Sequence, residues 1–452
     1  MPGTTSASGT DSDVKRQIGL FSATSIVVAN IVGAGIFTTS GILAGMLPGA
    51  GWVLACWAFG GLIAIAGALC YAELATRMPE VGGEYVYLKR LYHPSLAFLT
   101  GWTSFIVGFS APIAASAMGF SEYLYAGLAS PVSPILKKLT AVAIIVVFTA
   151  LHYRGLRSGT RVQNALTALK IAIVLGLAAA GLAMGGGNWA SVLAENAAAG
   201  GFRWTAVGTA MMLVMFAYSG WNASAYIAGE LKNPRRTLPV SLVAGTGIVV
   251  VLYLALNLFV FRSLSYADAG GVIAIVQKAA TAAFGGWMGS GLSAMISLCL
   301  LSSLSAYIII GPRVYFAMAR DRMFFRFASR VHPRFGVPGA SIIAQGAIAV
   351  LLVSIGSFEQ LLVYLGFALG IFPWLAVAGL FIARRRRVGD ESAVRVPGYP
   401  VVPALFLLVT LALMVVAFVN RPFESSLAIA TVLAGIPLYF LWIRSYRTRE
   451  EP

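Results

Sequence analysis

Long apolar runs recur along this chain, each bounded by short clusters of charge, proline or glycine. Read at these boundaries, the pattern predicts twelve helices, at 18 to 44, 51 to 75, 95 to 126, 136 to 153, 162 to 184 and 205 to 230, then 238 to 261, 287 to 317, 339 to 356, 359 to 383, 400 to 419 and 424 to 444. A helix of roughly 20 apolar residues crosses a hydrocarbon core about 30 Å thick, so runs of this length predict an all-α polytopic membrane protein.

Composition agrees. With 59% hydrophobic and 11% charged residues and a mean hydropathy of +0.84, the chain lies far from soluble proteins. This overrules the two or three soluble domains that 452 residues suggest by length alone. A net charge of +16 does not imply a nucleic-acid partner, because the basic residues are spread between the apolar runs and form no single face. They are sorted by side instead. If the N-terminus is cytoplasmic, inner connections collect Lys15, Arg16, Arg154, Arg157, Arg161, Lys232, Arg235, Arg236 and Arg384 to Arg387, with others; outer ones hold only Lys137, Lys138, Arg203, Arg262, Lys278 and Arg421. The positive-inside rule then places both termini in the cytoplasm. Residues 1–17, opening "MPGTTSASGTDSD", read as a disordered tail with no signal peptide, and 445–452 as a short C-terminal tail. Cys56, Cys70 and Cys299 all fall within apolar runs, which implies no exported disulfide framework.

Two spans are interrupted near their middles, the first by "VGAGIF" at 32 to 37 and the sixth by "FAYSGWN" at 216 to 222. Five crossings separate them, so they run in opposite directions. That is what an inverted repeat requires, with halves at 18–184 and 205–383 and the last two helices, 400–444, outside it. Irregular backbone facing lipid costs several kcal/mol for each freed polar group, so both breaks are expected to face the interior. Amides around Gly33, Ala34, Gly35 and Ile36 lie at a positive helix end suited to a carboxylate. Carbonyls freed near Phe216, Ala217 and Ser219 suit an ammonium group. Together they describe a site for the backbone of an amino acid. One glycine pair in a span is commonly packing; two matched breaks in inverted halves are the stronger signal.

Lys170 lies about nine residues into its span, roughly 14 Å deep, where a charge costs on the order of 2.5 to 3.5 kcal/mol. Two roles fit: pairing with helix-end carbonyls to hold two helices together, or coupling. Ser302, Ser303 and Ser305 on the eighth span are candidate partners for it. Phe216 and Trp221 are candidate gates over a ligand, and Asn222 a candidate partner for backbone freed by the break. No acid is read at the level of the breaks, since Glu73, Glu230 and Glu359 fall near span ends and Glu122 toward an outer end; a neutral substrate side chain is expected. No lysine follows a glycine, which excludes a Walker A site and with it a nucleotide-driven pump, and His93, His152 and His332 lack metal-ligand spacing. No enzyme, metal or cofactor is expected.

The motifs "VGAGIF", "GALCYAEL" at 67 to 74, "GGEYVYL" at 82 to 88, "FAYSGWN", "GELKNPRRTLP" at 229 to 239 and "AGIPLYF" at 434 to 440 resemble the amino acid/polyamine/organocation superfamily, in particular the L-type amino acid transporter branch and its bacterial relatives. The resemblance implies a LeuT-like fold of twelve helices, a 5+5 inverted repeat plus two, with helices 1 and 6 unwound at mid-membrane. It implies sodium-independent secondary transport of L-amino acids by alternating access, with exchange, facilitated diffusion and proton coupling all compatible with these motifs. It also implies Gly33 and Gly35 at the substrate carboxylate, Phe216 as aromatic gate, and Lys170 in the place of a sodium ion between helices 1 and 8. Ala34 stands where the family often has serine. The loop "GLASPVSPILKK" has no cysteine, so no disulfide-linked heavy chain is expected. A bacterial inner (plasma) membrane is the expected location. A carrier of cationic amino acids or polyamines, and a sensor that binds without transporting, are the competing readings.

Overall fold

The computed structural model describes residues 16–127, 132–184, 189, 192, 204–355, 358–420 and 422–447. Most of the N-terminal tail, Arg203, Arg421 and the C-terminal tail from 448 onward lie outside the described residues. Among those described, structure is helical, joined only by the isolated bridges Ile18 to Leu231 and Val81 to Ile227.

The first predicted span is two helices, α1 (Leu20–Ile31) and α2 (Ala34–Ala44), followed by α3 (Ala50–Arg77). A short helix, α4 (Glu84–Leu91), then precedes α5 (Pro94–Thr103) and α6 (Ser110–Gly127). The predicted single helix 95 to 126 is therefore corrected: a π-helical turn, Ser104–Gly108, divides it. The wider turn is held by Phe109 N donating to Ser104 O (3.0 Å), and side chains add to it, Ser110 Oγ donating to Phe105 O (2.7 Å) and Tyr315 OH to Ser104 O (3.1 Å). Next come α7 (Pro134–Tyr153), α8 (Leu156–Met184) and α9 (Trp204–Ala217). The sixth predicted helix is also corrected. It ends at Ala217, and residues 218 to 230 pass through turns and two short 3-10 segments, Ala223–Tyr226 and Ala228–Glu230. The rest are α10 (Pro234–Ser263), α11 (Ile275–Phe284), α12 (Gly286–Arg320), α13 (Gly339–Ile355), α14 (Phe358–Arg385), α15 (Val401–Asn420) and α16 (Pro422–Arg447).

Nine segments of the described residues are long and apolar enough to cross a bilayer, and α9 and α13 are shorter apolar helices. The polarity of the bundle is inverted relative to a soluble protein. Leu408 on α15 is 67% exposed and Val419 is 70%, whereas Lys170, Glu73, Ser302 and Ser303 are fully buried. Apolar outer faces of this kind are at rest only in lipid. The chain is an integral membrane protein.

At the end of the bundle where the chain enters α1, polar groups fasten the elements. Gln17 and Ile18 donate their amides to Glu230 O (2.9 and 3.0 Å), and Lys232 N returns a bond to Ile18 O (2.8 Å). The Glu230 carboxylate is gripped by Arg313 of α12 through Nε and Nη2 (2.7 and 3.1 Å). Glu73 is matched in the same way, by Arg77, by Arg384 of α14 and by the amide of Val396. Each buried charge here has an opposite charge and further hydrogen bonds, the condition under which burial is tolerated.

Candidate substrate site between two helix breaks

The two breaks touch. A Cβ on Gly35 would sit 2.8 Å from Ala217 Cβ, and one on Gly220 would sit 2.9 Å from the carbonyl carbon and Cβ of Asn30. Gly220 also has φ +103°, a conformation that side chains disfavour. Glycine at these positions lets the start of α2 meet the end of α9, and the end of α1 meet the turn beyond α9.

Main-chain carbonyls released at the breaks are met by side chains from neighbouring helices. Tyr253 of α10 places its hydroxyl 2.8 Å from Ile31 O and 3.0 Å from Ala217 O, one proton shared between the two breaks. Tyr307 of α12 donates to Asn30 O (2.8 Å). Val32 O accepts from Lys170 Nζ at 2.5 Å and from Ser303 Oγ at 2.7 Å, while Lys170 Nζ also lies 2.8 Å from Ser303 Oγ and 3.4 Å from Ala29 O. Lys170 thus joins α8 to the end of α1 and to α12. No side chain caps α2, whose N-cap Gly33 is extended, so its first-turn amides have no partner within the helix.

Several sequence expectations change here. Ser302 and Ser305 do not meet Lys170: Ser302 Oγ pairs with Thr167 (3.1 Å) and Gln163 (3.3 Å), and Ser305 Oγ with His152 Nε2 (2.8 Å). Successive helical positions point about 100° apart, so a run of serines is divided among three neighbours. Asn222 does not satisfy backbone at the break; its Nδ2 donates to Glu84 Oε1 (2.7 Å) and Tyr226 OH (3.3 Å). The Ala217 carbonyl, expected to be free for an ammonium group, is bonded to Tyr253, and the Phe216 carbonyl accepts from Ser219 N (3.0 Å).

A cavity of about 150 Å³ opens beside the breaks. Asn30, Ser219, Gly220, Asn222, Glu84 and Tyr307 make its polar wall; Met212, Met215, Phe216, Leu413 and Met414 make an apolar one. Phe216 and Trp221 both line it, Trp221 set edge-on against Tyr71 at 4.9 Å and Phe406 at 5.7 Å. Gly33, Ala34, Gly35, Ile36 and Ala217 are not among its lining residues; Gly35 and Ala217 stand where the breaks pack together, and Gly33 is partly exposed.

Glu84 is the residue that the sequence reading missed. It lines the cavity and is 4% exposed, which corrects the expectation that no acid stands near the breaks. Its Oε1 accepts from Tyr71 OH (2.6 Å) and Asn222 Nδ2 (2.7 Å), and Tyr226 adds a third hydrogen bond. Burial pushes the carboxyl above its ordinary range, against the pull of these three bonds. The available signal was "GGEYVYL", an acid directly after two glycines in an otherwise apolar and aromatic stretch.

The amino acid permease family model matches residues 18–440. The chain belongs to this family. It is 30% identical over 436 residues to the serine/threonine exchanger SteT of Bacillus subtilis, covering 95% of this chain and 97% of that protein. It is 29% identical over 444 residues to the b(0,+)-type amino acid transporter 1 of Mus musculus, covering 95% and 88%, and 27% identical over 448 residues to the mouse Asc-type amino acid transporter 1, covering 95% and 82%. These relatives are transporters and not enzymes. For an amino acid permease built this way, the shared hydroxyl of Tyr253 is a point of strength. Tyr253→Phe leaves two buried carbonyls short of a donor and is expected to lower stability by about 1–3 kcal/mol, read as a lower unfolding temperature in detergent. An unchanged temperature would show the hydroxyl to be dispensable.

Proposed function

We propose that this permease is a sodium-independent secondary carrier of L-amino acids that works by alternating access. The reading takes the nine long segments, α9, α13 and α14 as twelve spans in a LeuT-like arrangement, with inverted halves at 18–184 and 205–383, α15 and α16 outside them, and both termini cytoplasmic in a bacterial inner membrane. The observation that carries it is the direct contact of the two helix breaks beside a cavity with one polar and one apolar wall. The amides of Gly33, Ala34, Gly35 and Ile36, at the uncapped start of α2, offer a carboxylate site. Ser219 and the side-chain oxygen of Asn222, both on residues lining the cavity, are the acceptors offered to the ammonium group, and Phe216 and Trp221 close over the ligand. Lys170 with Ser303 occupies the position of a coupling cation between α1 and α12, which supports independence from sodium. No heavy-chain partner is required.

The apolar wall suits a neutral side chain. Glu84 favours a second reading, a carrier of cationic amino acids, because a buried carboxylate attracts a cation. A sensor that binds without transporting is the alternative of another class.

Counterflow in proteoliposomes tests these. Vesicles loaded with unlabelled amino acid are expected to accumulate the labelled form from outside, equally in sodium and potassium media. A thermal-shift screen first identifies the ligand, since binding to the folded form raises its stability with concentration. Binding with no exchange favours the sensor, and uptake that needs sodium removes the role given to Lys170.

A further inference from the structure

Three acids are buried among the described residues: Glu73, Glu84 and Glu230. Glu73 is held by Arg77 and Arg384, and Glu230 by Arg313. Glu84 has no basic partner among the described residues, and it is the one of the three that lines the cavity. From α3 it faces Tyr71, from its own helix Tyr87, and from the turn beyond α9 Asn222 and Tyr226. Thr103, Ser104 and Tyr307 also line the cavity. Charged groups on the adjoining segments are already matched, Glu80 with Arg90 and Asp321 with Lys89. All direct partners of Glu84 are therefore neutral.

A lone carboxylate is stable only while water or strong donors solvate it. Tyr71 and Asn222 supply such donors to Glu84, and its one unpacked side faces the cavity. An amino acid with a neutral side chain that fills the cavity replaces a polar medium on that side with apolar atoms, and its own two charges are directed at the helix breaks, so the carboxylate loses electrostatic support and gains no counter-charge. We propose that Glu84 takes up a proton when substrate fills the cavity, so that one proton travels with each amino acid. The proton comes from bulk water and binds a carboxylate oxygen; no other bond is made or broken. Asn222 Nδ2 then donates to a neutral acid instead of an anion, a weaker bond. Asn222 lies two residues beyond Gly220, so protonation is felt directly at the second break.

The proposal rests on the carrier reading, and the test separates the two. Full-length protein in weakly buffered solution with a pH-indicating dye is expected to take up about one proton for each amino acid bound, and Glu84→Gln to take up none. In proteoliposomes an inward proton gradient is expected to speed wild-type uptake several-fold; the uptake that remains in Glu84→Gln no longer responds to the gradient, and Glu84→Asp recovers part of the response. A wild type indifferent to the gradient, or a Glu84→Gln variant that still responds, overturns the proposal. So does a variant that loses only cationic substrates, which would make Glu84 a side-chain contact. If the wild type binds no amino acid, the carrier reading fails and both predictions about its ligand fall with it. Infrared difference titration then judges Glu84 by itself: a protonated-carboxyl band present in wild type and missing from Glu84→Gln is expected, and its absence from both refutes a proton site.

Discussion

Gly220→Ala is expected to remove substrate binding and uptake while leaving an α-helical, monodisperse protein in detergent. The added methyl group meets two obstacles. At φ +103° the backbone is strained for any side chain, by about 1–3 kcal/mol. The new Cβ also falls 2.9 Å from the carbonyl carbon of Asn30 and 3.0 Å from its oxygen, and these are main-chain atoms of α1 that no rotamer change moves aside. Overpacking adds about 1–3 kcal/mol. Together, about 2–6 kcal/mol corresponds to a loss of affinity of at least about tenfold, measured as the substrate-induced thermal shift and by counterflow. Wild-type affinity in this variant would mean that the breaks need not touch for ligand to bind.

Lys170→Ala has a different expected signature, slow turnover with affinity nearly kept. Val32 O retains a donor in the variant, because Ser303 Oγ reaches it at 2.7 Å independently of the lysine. The first break therefore keeps its local shape. What disappears is the amine joining α8, α1 and α12, whose hydrogen bonds are each worth about 0.5–1.5 kcal/mol. Turnover is expected to fall by about ten- to a hundredfold, with the dissociation constant altered far less. Unchanged turnover would return the lysine to a purely structural part.

Most of the helical frame was legible in the sequence because a membrane span needs a long apolar run, and such runs are hard to mistake. Shorter elements escaped. α4, "EYVYLKRL", carries three charges in eight residues and has no span-like signature, yet it brings Glu84 to the cavity. The breaks were legible at Gly33 and Gly35 and at Gly220, since glycine pairs and a polar "SGWN" stand out in apolar spans. Their partners were not. Tyr253 and Tyr307 look like ordinary membrane tyrosines until α10 and α12 are packed against α1. Lys170 stood out by charge alone, but choosing Ser303 over Ser302 and Ser305 required the rotation of α12, which only tertiary contact sets. The expectation that no acid stands near the breaks failed, because depth was counted along spans and Glu84 arrives from between them.

Three main-chain hydrogen bonds stitch residues 17 and 18 to residues 230 and 232, and this has a mechanical corollary. The stretch entering α1 and the stretch leaving the second break are thereby fastened to each other, and Arg313, clasping Glu230, fastens both to α12. In the proposed alternating access, a swing that parts this end of the bundle would first have to undo that clasp, and the two residues between Ile31 and Ala34 would be its fulcrum.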